Sequence, residues 1–352
     1  MSERIRFAVV GAGMIGAVHC AAIVALADVA ELTVVADRTE SVAAAMAHKH
    51  RAGGYTTDVA AALNRHDVDA VAVCTPSGTH ADLAVAALRA GKHVVIEKPI
   101  DISLAAADRV IAAERECGRT IAVISQHRFD RSTEKVASAV RAGELGTLTS
   151  TNASCAWWRG QSYYDSGQWR GTRELDGGGA TMNQAVHTID LMLAVMGRPV
   201  EVFAYTALLA HERIEVEDTA VAVVRFASGA LGTVHATTAA YPGLDASLRV
   251  FGTRGSAVIA GDELTFIYRS QGPAAEIAMS ESGAEVNQVT ESDRLRPEER
   301  TLGPAHQAQL RDFVQAVTHG TPVRVGTAQA RAALAVVLGM YESARTGRAV
   351  PL

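Results

Sequence analysis

Five short apolar runs punctuate the first third of the chain, at residues 5–10, 32–36, 70–74, 93–96 and 121–125. Between them lie longer alanine-rich segments, 15–27, 41–49, 80–90 and 104–117, whose apolar residues recur at helical spacing. A strand buried on both faces shows no polar alternation because neither side meets water, and helices that alternate with such strands serve as crossovers. The pattern predicts an α/β domain over residues 1–125, with a doubly wound parallel sheet.

Beyond residue 125 the texture changes. A helical stretch at 133–142 leads to an extended run at 147–158, an aromatic, glycine-rich loop and a helix at 181–196. Six β-rich runs follow, at 200–209, 219–226, 231–238, 248–251, 257–259 and 264–268, with turn signals at Ser228-Gly229 and Gly261-Asp262. Strand-dense sequence with such turns predicts a mostly antiparallel sheet and a second α/β domain spanning 126–352. Residues 270–300 are polar and expected to form an exposed excursion, and helices near 305–318 and 328–344 close the chain.

Composition narrows the class. With 48% hydrophobic and 20% charged residues over 352 positions, the chain can bury a core large enough to offset its conformational entropy, which excludes a disordered protein. A net charge of −5 offers no basic excess to neutralise phosphates, so no nucleic-acid partner is expected. Neither a signal-peptide core nor an apolar run long enough for a membrane span is visible, which predicts a cytoplasmic protein with a small-molecule partner. Cys20, Cys74, Cys117 and Cys155 are scattered without a CxxC pair, as expected of packed, reduced thiols.

Gly11-Ala12-Gly13-Met14-Ile15-Gly16 follows the first apolar run and opens the first helix, where backbone N–H groups can approach a pyrophosphate. Asp37 ends the second run and is placed to accept from a ribose 2′-hydroxyl, which favours NAD; the adjacent Arg38 keeps NADP as the alternative. Thr75, Pro76 and His80 follow the 70–74 run, and Glu97-Lys98-Pro99 the 93–96 run, at strand ends that line the ligand crevice of such sheets. Lys98 can stabilise alkoxide charge, although strand-end lysines are also ordinary solvated residues.

In the second half, Asp176-Gly177-Gly178-Gly179 precedes Asn183, His187 and Asp190, whose spacings of four and three place them on one helix face. His187 is the natural general base near neutral pH; the other reading makes it a core histidine satisfied by its polar neighbours. No metal site is expected there, because no second histidine or cysteine lies at ligand spacing. Trp157-Trp158-Arg159, Tyr163-Tyr164 and Trp169-Arg170-Gly171 gather all three tryptophans, the composition of a sugar pocket or of a subunit interface. Candidate substrate-binding residues are Lys98, Gln126, Arg128, Trp158, Arg159, Tyr163, Trp169, Asn183 and His187.

The glycine turn, Glu97-Lys98-Pro99 and the Gly177-Gly178-Gly179 to His187 segment, in this order, resemble the Gfo/Idh/MocA family of oxidoreductases. The resemblance implies a Rossmann domain followed by an open-sheet domain, with Lys98 and His187 at the positions of the family's catalytic lysine and histidine. It also implies a homodimer or homotetramer assembled through the open sheet. Inositol dehydrogenases of the family usually carry aspartate where this chain has Asn183, which cannot take a proton. The aromatic–arginine segments look more like the levoglucosan and nucleotide-sugar 3-dehydrogenase branch. The expected activity is therefore NAD-dependent oxidation of a secondary ring hydroxyl of a sugar or anhydrosugar, at C3 in the branch it resembles. An inositol dehydrogenase, an NAD-dependent glycosidase and a non-catalytic NAD-binding regulator are the alternatives.

Overall fold

The computed structural model describes residues 4–270, 287–293 and 302–352. These fold as two compact units, the first holding the described residues of Met1–Gln126, Glu174–Gly177 and Thr301–Leu334, the second those of His127–Arg173, Gly178–Arg300 and Ala335–Leu352. A single cut after residue 125 therefore does not describe the units: part of the C-terminal region joins the first.

The first unit contains β1 (Ile5–Val10), α1 (Met14–Ala25), β2 (Ala30–Ala36), α2 (Glu40–His50), β3 (Tyr55–Thr56), α3 (Val59–Leu63), β4 (Ala70–Val73), α4 (His80–Arg89), β5 (His93–Ile96), α5 (Leu104–Cys117) and β6 (Ile121–Val123). The strands form one parallel sheet in the order β3-β2-β1-β4-β5-β6. β4 is buried throughout, and β1 over its last four residues, as the unalternating apolar runs predict. The two-residue β3 and the five-residue α3 are too short to leave a periodic signal. Phe313, from the helix Leu302–His319, packs its ring 6.0 Å from that of Phe7 within the core beneath α1. This apolar contact explains why the late helix folds with the first unit.

In the second unit lie α6 (Arg131–Arg141), β7 (Leu148–Ala156), α7 (Gln161–Asp165), a π-helical turn (Ala180–Ala185) and α8 (Val186–Met196). Strands β8 (Pro199–Ala207), β9 (Thr219–Phe226), β10 (Leu231–Thr237), β11 (Ser247–Gly252), β12 (Gly255–Ala260) and β13 (Glu263–Arg269) follow. The two late helices are α9 (Leu302–His319) and α10 (Thr327–Thr346), and β14 (Val350–Pro351) ends the chain. The sheet order is β13-β12-β11-β7-β10-β9-β8-β14, antiparallel except where β7 lies parallel to β10. β9 alternates buried and exposed positions along its length, the mark of a sheet with one covered face. Gly229 and the Gly261–Asp262 pair take positive φ at the hairpin turns where sequence placed them. Of the 270–300 excursion, residues 271–286 and 294–300 lie outside the described residues; Gln288 N–H donates to the Ile267 carbonyl, beside β13. No helix among the described residues is long and apolar enough to cross a membrane.

Candidate functional site

The glycine turn has the geometry its sequence requires. Gly11 adopts φ +98°, and a β-carbon there would meet the Cys74 carbonyl at 2.5 Å; one at Gly16 would collide with the Gly11 carbonyl. A β-carbon at Gly13 would meet nothing within 4 Å, and no side chain caps the start of α1. The helix end is thus open to an anionic group, which fits a dinucleotide pyrophosphate. Asp37 accepts from the Ala12 N–H and the Thr39 N–H, both at 2.9 Å, tying the end of β2 to the glycine turn. Each carboxylate oxygen retains a second lone pair for a ribose hydroxyl. Met14 and Arg38 are exposed and Ile15 is half-buried.

Two buried side chains set the turn that carries Lys98. The ring nitrogens of His80 lie 2.7 and 2.8 Å from the carbonyls of Pro99 and Thr75, so the imidazole ties the ends of β4 and β5. Thr75 pairs its hydroxyl with that of Thr79 at 2.7 Å, and Pro76 accepts from the Thr79 hydroxyl. Glu97 accepts from the Lys98 N–H on Oε2, while Oε1 lies 2.7 Å from His19 Nε2 and 3.8 Å from His306 Nε2. Burial alone would raise the Glu97 pKa, but the two imidazoles outweigh it and hold the carboxylate well below its ordinary range. Sequence reading missed His19 and His306; the one available signal was a lone histidine inside the apolar helix α1. Gln126 is buried, and its Oε1 has no hydrogen-bond partner among the described residues.

In the second unit the predicted polar stripe is divided. Asn183 lies in the π-helical turn and His187 in the first turn of α8, both half-buried, whereas Asp190 is buried and grips Arg128 through two bonds of 2.6 Å. Arg128 thus joins α8 rather than standing apart from it. His187 packs edge-on against His127, their ring centroids 5.3 Å apart. His127 Nδ1 is 2.8 Å from Asp130 and 3.2 Å from Asp262. The π-turn begins at Gly179, where a β-carbon would strike the Glu217 carbonyl, and the Glu217 carboxylate accepts from Gly179 N–H, Thr181 N–H and the Tyr341 hydroxyl. Burial pushes the Glu217 pKa up despite these donors. Glu217 and Tyr341 left no sequence signal, since each meets the turn only through tertiary folding.

The aromatic–arginine segments join through Tyr164, whose ring lies 5.2 Å from that of Tyr163 and 4.8 Å from that of His211. Trp158 lies 6.0 Å from the His211 ring and 5.4 Å from Tyr241, and His211 bonds Asp218 and the Arg159 carbonyl. Arg159, Tyr163, Trp169 and Arg170 pack on the Tyr163 side of this set and reach Asn183 through Gln184. Two triads of metal-ligand type occur among the described residues, His19–Glu97–His306 and His127–Asp130–Asp262; neither contains His187. Cys20, Cys74 and Cys155 are buried, and burial pushes the Cys20 thiol up to about 12.

Comparisons with known proteins assign both halves of the chain to one family. Residues 5–125 match an oxidoreductase family described by its NAD-binding Rossmann fold, and residues 133–258 match the GFO/IDH/MocA C-terminal domain. The chain is 33% identical over 261 residues to a myo-inositol 2-dehydrogenase of Thermotoga maritima, covering 71% of this chain and 73% of that protein. It is 31% identical to the WlbA dehydrogenase of Bordetella pertussis in complex with NADH and UDP-GlcNAcA, with a TM-score of 0.87 over 100% of this chain and 99% of that one. A levoglucosan dehydrogenase with NADH and levoglucosan shares the fold, at 22% identity, a TM-score of 0.87 and 99% coverage of both chains.

Proposed function

As a member of the GFO/IDH/MocA family, an NAD-dependent oxidoreductase acting on the CH–OH groups of sugars or polyols, this chain is one that we propose oxidises a pyranose-type sugar or anhydrosugar. The reacting group is a secondary ring hydroxyl, at C3 of a levoglucosan-like pyranoside, which becomes a ketone. NAD, when bound, supplies the hydride acceptor. His187 takes the hydroxyl proton, Lys98 stabilises the developing alkoxide, and Asn183 orients the hydroxyl or His187, since an amide cannot act as base. The open start of α1 and Asp37 hold the dinucleotide, and Glu97 and His80 hold the Lys98 turn in place.

The observation that carries this reading is the position of Lys98, at the carboxyl end of β5 in the sheet whose β1 ends in the glycine turn. Asn183, standing where inositol dehydrogenases carry aspartate, supports a sugar ring. Identity to the Thermotoga protein favours a second reading, a myo- or scyllo-inositol 2-dehydrogenase. NADH formation over levoglucosan, monosaccharides, nucleotide sugars and inositols, with NADP in parallel, separates the two. Lys98→Ala and His187→Ala should each cut turnover by about 10² or more while NADH binding persists. Near-normal turnover in both variants would reject the assignment.

A further inference from the structure

Arg159 and Arg170 converge on one ring. Their guanidinium carbons lie 5.3 and 4.4 Å from the Tyr163 centroid, and each also stacks on a tryptophan, Arg159 on Trp157 at 4.9 Å and Arg170 on Trp169 at 4.6 Å. Hydrogen bonds fix the arrangement: Arg170 donates to the Tyr163 hydroxyl at 2.8 Å, Gln184 donates to the same oxygen at 3.0 Å, and Arg159 donates to Gln184 Oε1 at 3.1 Å. Gln184 is buried and also donates to Asn183 Oδ1 at 3.2 Å. Two cations are therefore locked around a phenol ring and connected to Asn183 in the π-helical turn that leads into α8 and His187.

Among the described residues, no carboxylate lies within ion-pair distance of either guanidinium. Neighbouring acids are engaged elsewhere: Asp165 with Arg213, Asp218 with His211, and Glu217 with the π-turn. The Arg159 Nε–H is buried and has no acceptor. A buried guanidinium donor left unused, on a cation with no carboxylate beside it, is unfavourable unless an anionic acceptor completes the set. Guanidinium planes braced by aromatic rings match an oxyanion through paired N–H donors.

We propose that Arg159 and Arg170 form a subsite for an anionic group, a carboxylate or a phosphate, carried by the sugar. This deepens the sugar-oxidation reading and rests on it. The test compares D-glucuronate, D-glucose 1-phosphate and a UDP-linked sugar uronate with D-glucose and levoglucosan. Both turnover and calorimetric binding to the NADH-loaded enzyme are measured. At least one anionic sugar should exceed its neutral counterpart in kcat/KM by tenfold or more, and that preference should shrink as salt rises. In Arg170→Gln the preference ratio should collapse toward one, chiefly through KM, and Arg170→Lys should restore part of it. The arms separate carboxylate from phosphate as the group recognised.

Equal or better use of neutral sugars by the wild type would overturn the subsite. So would an Arg170→Gln variant that loses activity on anionic and neutral sugars in equal proportion, the behaviour of a purely structural residue. Arg170-dependent binding of an anionic sugar without turnover would uphold the subsite and reject the oxidation reading. An absence of binding and turnover across all five sugars would reject both.

Discussion

Held between Asp130 and Asp262, His127 keeps its proton far above the range of an ordinary imidazole. Burial opposes the charge, but the two carboxylates outweigh it and push the pKa up to about 10 from the usual 6.5. A group whose folded pKa lies above its unfolded one contributes stability that is complete below the unfolded value and is lost as pH rises through the folded value. The wild type should therefore lose stability between pH 6.5 and about 10 to an extent that His127→Gln does not share. Urea midpoints measured across that range test this, and parallel pH slopes in the two proteins would refute it. Glu97 behaves in the opposite sense. Its depressed pKa means stability present above 4.5 and lost as pH falls toward the folded value. Neither environment is legible in the sequence, because His127 meets Asp262, and Glu97 meets His19 and His306, across long separations in the chain.

At the scale of elements, backbone contact decides what a glycine is for. Gly11→Ala would place a β-carbon against the Cys74 carbonyl in a left-handed conformation, so the turn must shift. Its expected result is a loss of NADH affinity of tenfold or more, read by fluorescence titration; unchanged affinity would show that the turn does not hold the dinucleotide. Gly179→Ala would force the π-turn away from the Glu217 backbone and should lower turnover far more than NADH affinity, since Asn183 lies in that turn and His187 in the first turn of the helix it leads into. Equal losses in both measurements would contradict that assignment. Phe313→Ala should cost about 3–5 kcal/mol in urea unfolding, the usual cost of truncating a fully buried phenylalanine, because α9 seals the core under α1. Helix and strand positions were largely legible from periodicity. The π-helical turn was not: its spacing of residues resembles that of an α-helix, and the close approach of Glu217 that accompanies it is tertiary.

For the molecule as a whole, the uncovered face of the second unit's sheet presents Tyr205, Val221, Val223 and Leu231, all exposed on directly paired strands. An apolar face of this kind favours a partner, and we propose a second copy of the chain in a homodimer or homotetramer. Val223→Glu should shift the mass measured by light scattering at micromolar concentration toward the monomer; an unchanged mass would move the interface elsewhere. The sequence by itself determined the dinucleotide sheet, the antiparallel hairpins, the glycine turn and the candidacy of Lys98 and His187. These depend on local spacing, on which short-range sterics and the burial of a strand's faces act directly. Only the tertiary structure decided that α9 joins the first unit, that Asp190 is taken by Arg128, and that Glu97 and Glu217 brace their turns from within. Those outcomes depend on which buried polar group finds a partner, and desolvation makes that a property of the assembled interior rather than of neighbours along the chain.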